Sequence, residues 1–120
     1  MGTTVGAGAT LGLANGITLG ENLALSGTGV GDLGALRSMT GNNTYTGLIA
    51  LNAGSSITAD AGSTLTLFHT SGTTSVIANT QNVVFGGEGT ILVNSTINIS
   101  TGTVTKTGGG TLILNGANPY

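Results

Sequence analysis

The feature that most constrains this chain is a series of very short apolar pairs. Each pair has two apolar residues two positions apart, which is the period of a strand with one buried face. Gly, Asn, Ser and Thr separate the pairs, and most neighbouring pairs are closely spaced along the chain. An ordinary β-sandwich has a turn only about every 8–12 residues, so these strands are too short and too frequent for one. The pairs are Leu11/Leu13, Ile17/Leu19, Leu23/Leu25, Ile49/Leu51, Leu65/Leu67, Val83/Phe85, Ile91/Val93, Ile97/Ile99 and Leu112/Leu114.

A longer repeat overlies the short pairs. The segments that contain Leu11, Leu65, Ile91 and Leu112 resemble one another, because each has Gly and Thr just before the apolar pair. Three strands of about seven residues each would fill the step from Ile91 to Leu112, which suits one coil of a solenoid. The sequence therefore predicts an all-β fold, a right-handed parallel β-helix (β-solenoid) of about 5–6 coils of roughly 21 residues.

The predicted solenoid forms one domain over residues 1–120. Inward residues of successive coils would stack as aliphatic ladders, while Gly and Asn would occupy the sharp corners and Thr would point outward. The step from Leu65 to Ile91 is longer than the step from Ile91 to Leu112, which predicts loops inserted at corners. Residues 34–43 and 68–74 are the expected insertions.

Composition excludes several classes of protein. The 23 glycines in 120 residues exclude a helix bundle, because each interior Gly costs about 1 kcal/mol relative to Ala. Two basic residues are too few to follow a phosphate backbone, so no nucleic-acid partner is expected. The chain has no Cys, which excludes disulfides and thiolate chemistry. It has no apolar run near the roughly 20 residues of a transmembrane helix, and no signal-peptide pattern follows Met1.

A family resemblance enters near the carboxyl end. Residues 105–120 read T-K-T-G-G-G-T-L-I-L-N-G-A-N-P-Y, and residues 41–54 read G-N-N-T-Y-T-G-L-I-A-L-N-A-G. Together these segments resemble the passenger-associated repeat of bacterial autotransporters, although Thr105 replaces the usual apolar residue and Pro119 stands where Thr is common. The resemblance implies a secreted or cell-surface β-solenoid stalk, in which binding or enzymatic parts are separate insertions.

The two ends of the sequence add a second expectation. Residues 4–11 align with residues 50–57, so placing Met1 after Tyr120 would restore the repeat except for a single missing position. We therefore expect either a piece of a tandem array or a subunit that stacks head to tail. No capping pattern is apparent at either end, and end-to-end contacts that do not close generate filaments.

Two arrangements of possible catalytic or cofactor-binding residues carry little weight. The segment Gly29-Val30-Gly31-Asp32-Leu33-Gly34 matches the G-x-G-x-x-G string of dinucleotide folds, but no helical pattern follows it. His69 with Asp60 or Glu88 could form a triad or a metal site on paper. Four scattered acids and four aromatic residues do not supply the groove of a solenoid glycosidase or lyase. We therefore expect no enzyme activity.

Other polar motifs have simple structural interpretations. Glu88 lies between glycines, as in calcium-binding nonapeptide repeats, but those repeats need an acid in register on every coil. Tyr45 and Tyr120 are expected to pack at equivalent corners. Three glycosylation sequons begin at Asn42, Asn94 and Asn98 and fit the high Asn, Ser and Thr content. Several threonines are two positions apart in this sequence: Thr101, Thr103, Thr105, Thr107, Thr64/Thr66 and Thr44/Thr46. Thr-x-Thr arrays on solenoids can bind ice, but the spacing of these threonines along the sequence is irregular. We therefore interpret them as residues that favour exposed strand positions.

The function expected from the sequence is structural. We expect a non-catalytic module of an extracellular or cell-surface protein, a stalk of the autotransporter or adhesin passenger type. The first alternative is a subunit that stacks on copies of itself to form an extracellular filament, which the low charge favours. The second is a ligand- or ice-binding solenoid. No catalytic, cofactor-binding or metal-binding residue is predicted.

Overall fold

The computed structural model describes residues 2–68, 77–78, 81–94, 97–98 and 102–115. Fourteen strands and one short 3-10 turn follow one another along these residues. The strands are β1 (Gly2–Val5), β2 (Leu11–Ala14), β3 (Thr18–Leu19), β4 (Asn22–Gly27), β5 (Leu36–Thr40), β6 (Asn42–Tyr45), β7 (Ile49–Ala59), β8 (Thr64–Leu67), β9 (Ile77–Ala78), β10 (Val83–Gly86), β11 (Thr90–Val93), β12 (Ile97–Asn98), β13 (Val104–Lys106) and β14 (Thr111–Leu114). The 3-10 turn, Val30–Asp32, lies between β4 and β5.

The strands stack in parallel as a β-solenoid of about four turns. Its wall has three columns of stacked strands. The first column contains β1, β4, the start of β7, β9 and β12, and the second contains β2, β5, the end of β7, β10 and β13. The third contains β3, β6, β8, β11 and β14. The long strand β7 runs continuously from the first column into the second, so it joins the two.

The predicted solenoid is confirmed, but the number of coils was overestimated. Register partners in the third column are Thr18, Thr44, Thr66, Leu92 and Ile113. Only the last step, from Leu92 to Ile113, has the predicted coil length, and each earlier step is longer. Coils are therefore longer on average than the sequence indicated, and fewer fit in the chain. The right-handedness of the coil stays a prediction.

Inward side chains form the predicted apolar ladders. In the third column Leu19, Tyr45, Leu67, Val93 and Leu114 stack in register, and the three middle residues are fully buried. In the second column the ladder runs through Leu11, Leu36, Ile57 and Phe85 to Lys106. The buried apolar residues of the described ranges belong to one cluster, so the ladders meet in a common core.

One expectation about the coil path was wrong. Residues 34–43 are not an insertion, because they contain β5, whose Leu36 is fully buried in the second column. The inserted loop lies just before it, around the 3-10 turn. The pair Leu11/Leu13 lies in the second column, although its segment resembles that of Leu65 in the third. Of the other expected insertion, 68–74, only Phe68 lies within the described residues.

Candidate functional site

The most distinctive surface feature is the loop of residues 28–34, which projects from the second column. Its ends are tied together by a hydrogen bond from Gly34 N to Thr28 O at 2.8 Å. Thr10 on the previous coil donates its hydroxyl to Gly34 O and accepts from Val30 N, both at 2.8 Å. On the next coil, the Thr58 hydroxyl donates to Leu33 O at 2.6 Å. The loop is therefore held in place by the coils on both sides.

This loop contains the G-x-G-x-x-G string, and the structure gives the glycines a steric explanation. Gly29, Gly31 and Gly34 have φ of 82°, 61° and 115°, where other residues are strained. A Cβ on Gly29 would lie 2.0 Å from Gly34 O. The turn that follows Gly29 is a single 3-10 turn, so it provides no helix N-terminus for a pyrophosphate. The glycines therefore have a structural role in the loop, and the absence of dinucleotide binding stays a prediction.

A cleft of about 130 Å³ lies between the loop and the wall of the second column. Leu33 and Val84 provide its apolar surface, and Gly86 leaves a gap in its wall. Its polar groups are two carboxylates and three hydroxyls, from Asp32, Asp60, Ser56, Thr58 and Thr107. Four or so waters would fill this volume, at about 30 Å³ each. The cleft can therefore receive one small polar group or a single side chain.

Both carboxylates of the cleft already have partners. Arg37 donates from Nε and Nη2 to the two oxygens of Asp60, at 2.9 and 2.7 Å. This paired contact across two coils raises the pKa of Arg37. Asp32 accepts from the Thr28 hydroxyl at 2.5 Å. Among the described residues that line the cleft none is His, Lys or Cys.

The other candidate site residues are not brought together in the described part of the chain. Asp60 lines the cleft, whereas Glu88 lies one coil further on and accepts from Gly109 N at 2.9 Å. His69 lies outside the described residues, so its place in a triad with these acids stays untested. No group of three or more His, Cys, Asp or Glu in the described ranges could hold a metal ion.

The threonines of the third column are more regular than the sequence indicated. We call its outward surface the threonine face: Thr18, Thr44 and Thr66 stack in one row, and Thr64, Thr90 and Thr111 in another. The expectation of irregular placement was wrong here, because loops of unequal length at the corners hide a constant register. None of the six charged residues lies in the strands of this column. The predicted Thr101–Thr107 array differs: Thr105 alone lies in a strand, β13, and Thr101 lies outside the described residues.

A buried asparagine organises the corner between β2 and β3. Asn43 is fully buried in the register position of Leu65, Ile91 and Leu112. Its Oδ1 accepts from Gly16 N and Ile17 N, each at 3.0 Å. Its Nδ2 donates to Leu13 O, Ser38 Oγ and Thr40 O at 3.2, 2.9 and 3.0 Å. No apolar pattern pointed to this residue, and several of its partners belong to the previous coil.

Tyr45 lies inside the solenoid. It ends β6 and is fully buried in the ladder beside Leu67. Its expected equivalence with Tyr120 stays a prediction. Its hydroxyl has no hydrogen-bond partner among the described residues. Burial, with a smaller effect of the Glu21 charge, raises the pKa of Tyr45 to about 12. Tyr120 and the Gly116–Tyr120 part of the repeat lie outside the described residues.

Comparison with known protein families, with curated proteins and with solved structures finds no match. What the structure shows is therefore the class alone, an all-β solenoid of parallel strands. In the described ranges no helix is long and apolar enough to cross a membrane.

Proposed function

We propose that this chain is a structural, non-catalytic solenoid module of an extracellular or cell-surface protein, of the stalk type found in autotransporter passengers. The observation that carries the proposal is the stacking of parallel strands in three columns. The third column keeps one register from β3 to β14, while the other two each shift register once, between Leu25 and Gly27 and between Leu13 and Ala14. Because each described coil pairs with its neighbours through strands in all three columns, bending requires many backbone hydrogen bonds to break together. Such a stack is suited to holding other parts of a protein at a fixed distance.

The proposal can be tested by the rigidity of the chain. Since the protein has no Cys, spin labels can be placed at Thr4→Cys and Thr105→Cys, two exposed positions in the first and last described coils. Pulsed electron-spin spectroscopy should give one narrow distance distribution, unchanged by added chelator or small ligands. A broad distribution under conditions where circular dichroism reports a folded chain would contradict a scaffold role. A pair at Thr103→Cys and Thr105→Cys controls for motion of the labels themselves.

A filament subunit is the second candidate function. In the described part of the chain, β3 pairs only with β6, and β14 pairs only with β11. Exposed strand edges of this kind can pair with another copy, and a net charge of −2 opposes association weakly. Negative-stain electron microscopy with sedimentation velocity over a concentration series tests this proposal. Fibres one solenoid wide would support it, and monomers at the highest concentration would exclude it.

An ice-binding role is the third candidate, and the threonine face favours it. Its two rows place hydroxyl and methyl groups about 4.8 Å apart along the stack, on strands that contain none of the charged residues. Thermal hysteresis of a dilute solution is the direct measurement. Thr66→Lys, at the centre of the face, should abolish any hysteresis, whereas Thr105→Lys on the second column should not. A wild-type solution without hysteresis would remove this candidate.

A further inference from the structure

The corner between β2 and β3 contains an asparagine followed by glycine. Asn15 and Gly16 both have positive φ, 66° and 79°, and the corner lies at the surface of the first coil. The Asn–Gly pair is the dipeptide in which an asparagine side chain most readily reacts with its own backbone, because glycine places no side chain in the way of the attack. This corner therefore holds a chemically reactive pair in the first coil of the solenoid.

The reaction needs the backbone nitrogen of Gly16 to be free. In the reaction Gly16 N loses its proton and bonds to Asn15 Cγ, the Cγ–Nδ2 bond breaks, and ammonia leaves. Water then opens the succinimide ring to give aspartate or isoaspartate. In the structure Gly16 N donates instead to Asn43 Oδ1 at 3.0 Å. The proton that must leave is therefore held in a hydrogen bond to a fully buried acceptor.

The asparagine side chain is also restrained. Its Oδ1 accepts from the Thr40 hydroxyl at 3.3 Å, and Asn15 N donates to Thr40 O at 2.8 Å. Asn43 is itself immobilised by three hydrogen bonds from its Nδ2, so it cannot turn away without losing all of them. The nucleophile and the electrophilic carbon are thus both anchored to the second coil, on residues far away in sequence.

We propose that Asn15 is a latent deamidation site and that Asn43 keeps it unreactive while the first two coils are docked. Opening of this corner frees Gly16 N, and the reaction then makes the opening permanent. Isoaspartate adds a methylene to the backbone, which moves Gly16 N and Ile17 N away from Asn43 Oδ1. Formation of isoaspartate at Asn15 therefore leaves the buried Asn43 Oδ1 without its two donors, which costs free energy in a core. Deamidation at Asn15 would thereby limit how long the first coil stays attached.

The test compares deamidation rates at Asn15 in the folded and the urea-unfolded wild-type chain, by mass spectrometry of the peptide that contains it. The protected corner should react at least about tenfold more slowly when folded, because reaction then requires local opening. The second Asn–Gly pair, Asn115-Gly116, provides an internal reference in urea, where both pairs should react alike. Equal rates at Asn15 in the folded and unfolded chains would overturn the proposal.

Two variants separate Asn43 from general stability. Asn43→Leu places in the ladder the residue found at its register partner Leu65, while Gly16 N loses its acceptor. We expect its folded-state rate at Asn15 to approach the unfolded rate. Leu112→Ala, in the last described coil, is the matched control and should leave the rate low. A folded Asn43→Leu chain that reacts as slowly as wild type would refute the role of Asn43, as would an equal acceleration by Leu112→Ala.

A further measurement covers the case in which Asn43→Leu does not fold. Amide hydrogen exchange on the wild-type chain reads the same hydrogen bond directly. The Gly16 amide should exchange slowly, in step with Ile17, since both donate to Asn43 Oδ1. Exchange of Gly16 at the rate of an unstructured amide would show that its nitrogen is free in the native state, and the proposal would fail.

Discussion

The buried phenol of Tyr45 gives the sharpest prediction about stability. Its hydroxyl has no hydrogen-bond partner in the described structure, and a buried unsatisfied polar group costs about 1–3 kcal/mol. Tyr45→Phe removes that group and keeps the ring that packs on Leu67. We therefore expect Tyr45→Phe to be more stable than wild type at pH 7, by about 1 kcal/mol after allowance for the small void left behind.

The same residue predicts how stability changes at alkaline pH. Burial raises the pKa of Tyr45 to about 12 in the folded chain, whereas an unfolded tyrosine has a pKa near 10. Between these two values the unfolded chain has lost the proton and the folded chain still holds it. Stability is therefore fully present below about pH 10 and falls as the pH rises to about 12, by at most about 3 kcal/mol in total.

Urea unfolding followed by circular dichroism, at intervals from pH 7 to pH 12, measures both effects. The difference in unfolding free energy between Tyr45→Phe and wild type should grow above pH 10, because groups common to both chains cancel. Tyr120→Phe leaves Tyr45 as the only phenol, so tyrosinate absorbance then reports a single titration. A constant difference across this pH range, or an ordinary pKa near 10 in the folded Tyr120→Phe chain, would refute the burial of the Tyr45 hydroxyl.

Three further pairs of substitutions test the ladders, the exposed strand edge and the loop. Ile91→Asp places an unpaired charge where the residue is 2% exposed and should unfold the stack. Leu112→Asp changes a partly buried position and should unfold only the last coil. Circular dichroism with limited proteolysis distinguishes the two outcomes. Lys106→Leu extends the apolar ladder past Phe85 and should raise self-association in sedimentation velocity. Thr105→Leu, which changes the neighbouring outward residue, should raise self-association less. A Lys106→Leu chain that stays monomeric would show that the edge of β13 does not pair with another copy. Gly34→Ala should cost about 1–3 kcal/mol, because its Cβ would lie 2.5 Å from Thr58 Oγ1, while Gly6→Ala, with open space around it, should cost little in the same urea titration.

The period-two apolar pairs predicted the solenoid because most of its strands contain one such pair. This pattern missed β5 and β6 for a physical reason. In β5 the inward residues are Leu36 and the buried Ser38, and in β6 they are Asn43 and Tyr45. Polar groups occupy the core here because residues of neighbouring coils satisfy most of them. Those partners are far away in sequence, so no local period reveals them.

The threonine face could not be predicted for a related reason. Coils differ in length, yet Thr44 and Thr66 are register partners. In the described part of the chain the loop of residues 28–34 adds length between β4 and β5 without changing the register of the third column. A search for a fixed sequence period therefore underestimates how regular the surface is.

The loop of residues 28–34 and the Asn43 corner show how this scaffold can carry local functions. Each is held by side chains from neighbouring coils: Thr10 and Thr58 hold the loop, and Asn43 holds the corner of Asn15 and Gly16. The columns themselves bear few reactive groups. Variation at corners and loops is therefore the way such a stack can gain a binding cleft or a labile site without disturbing the ladders. In this fold the paired strands and apolar ladders determine the shape of the stack, and its corners and loops are the places where reactive groups can be added.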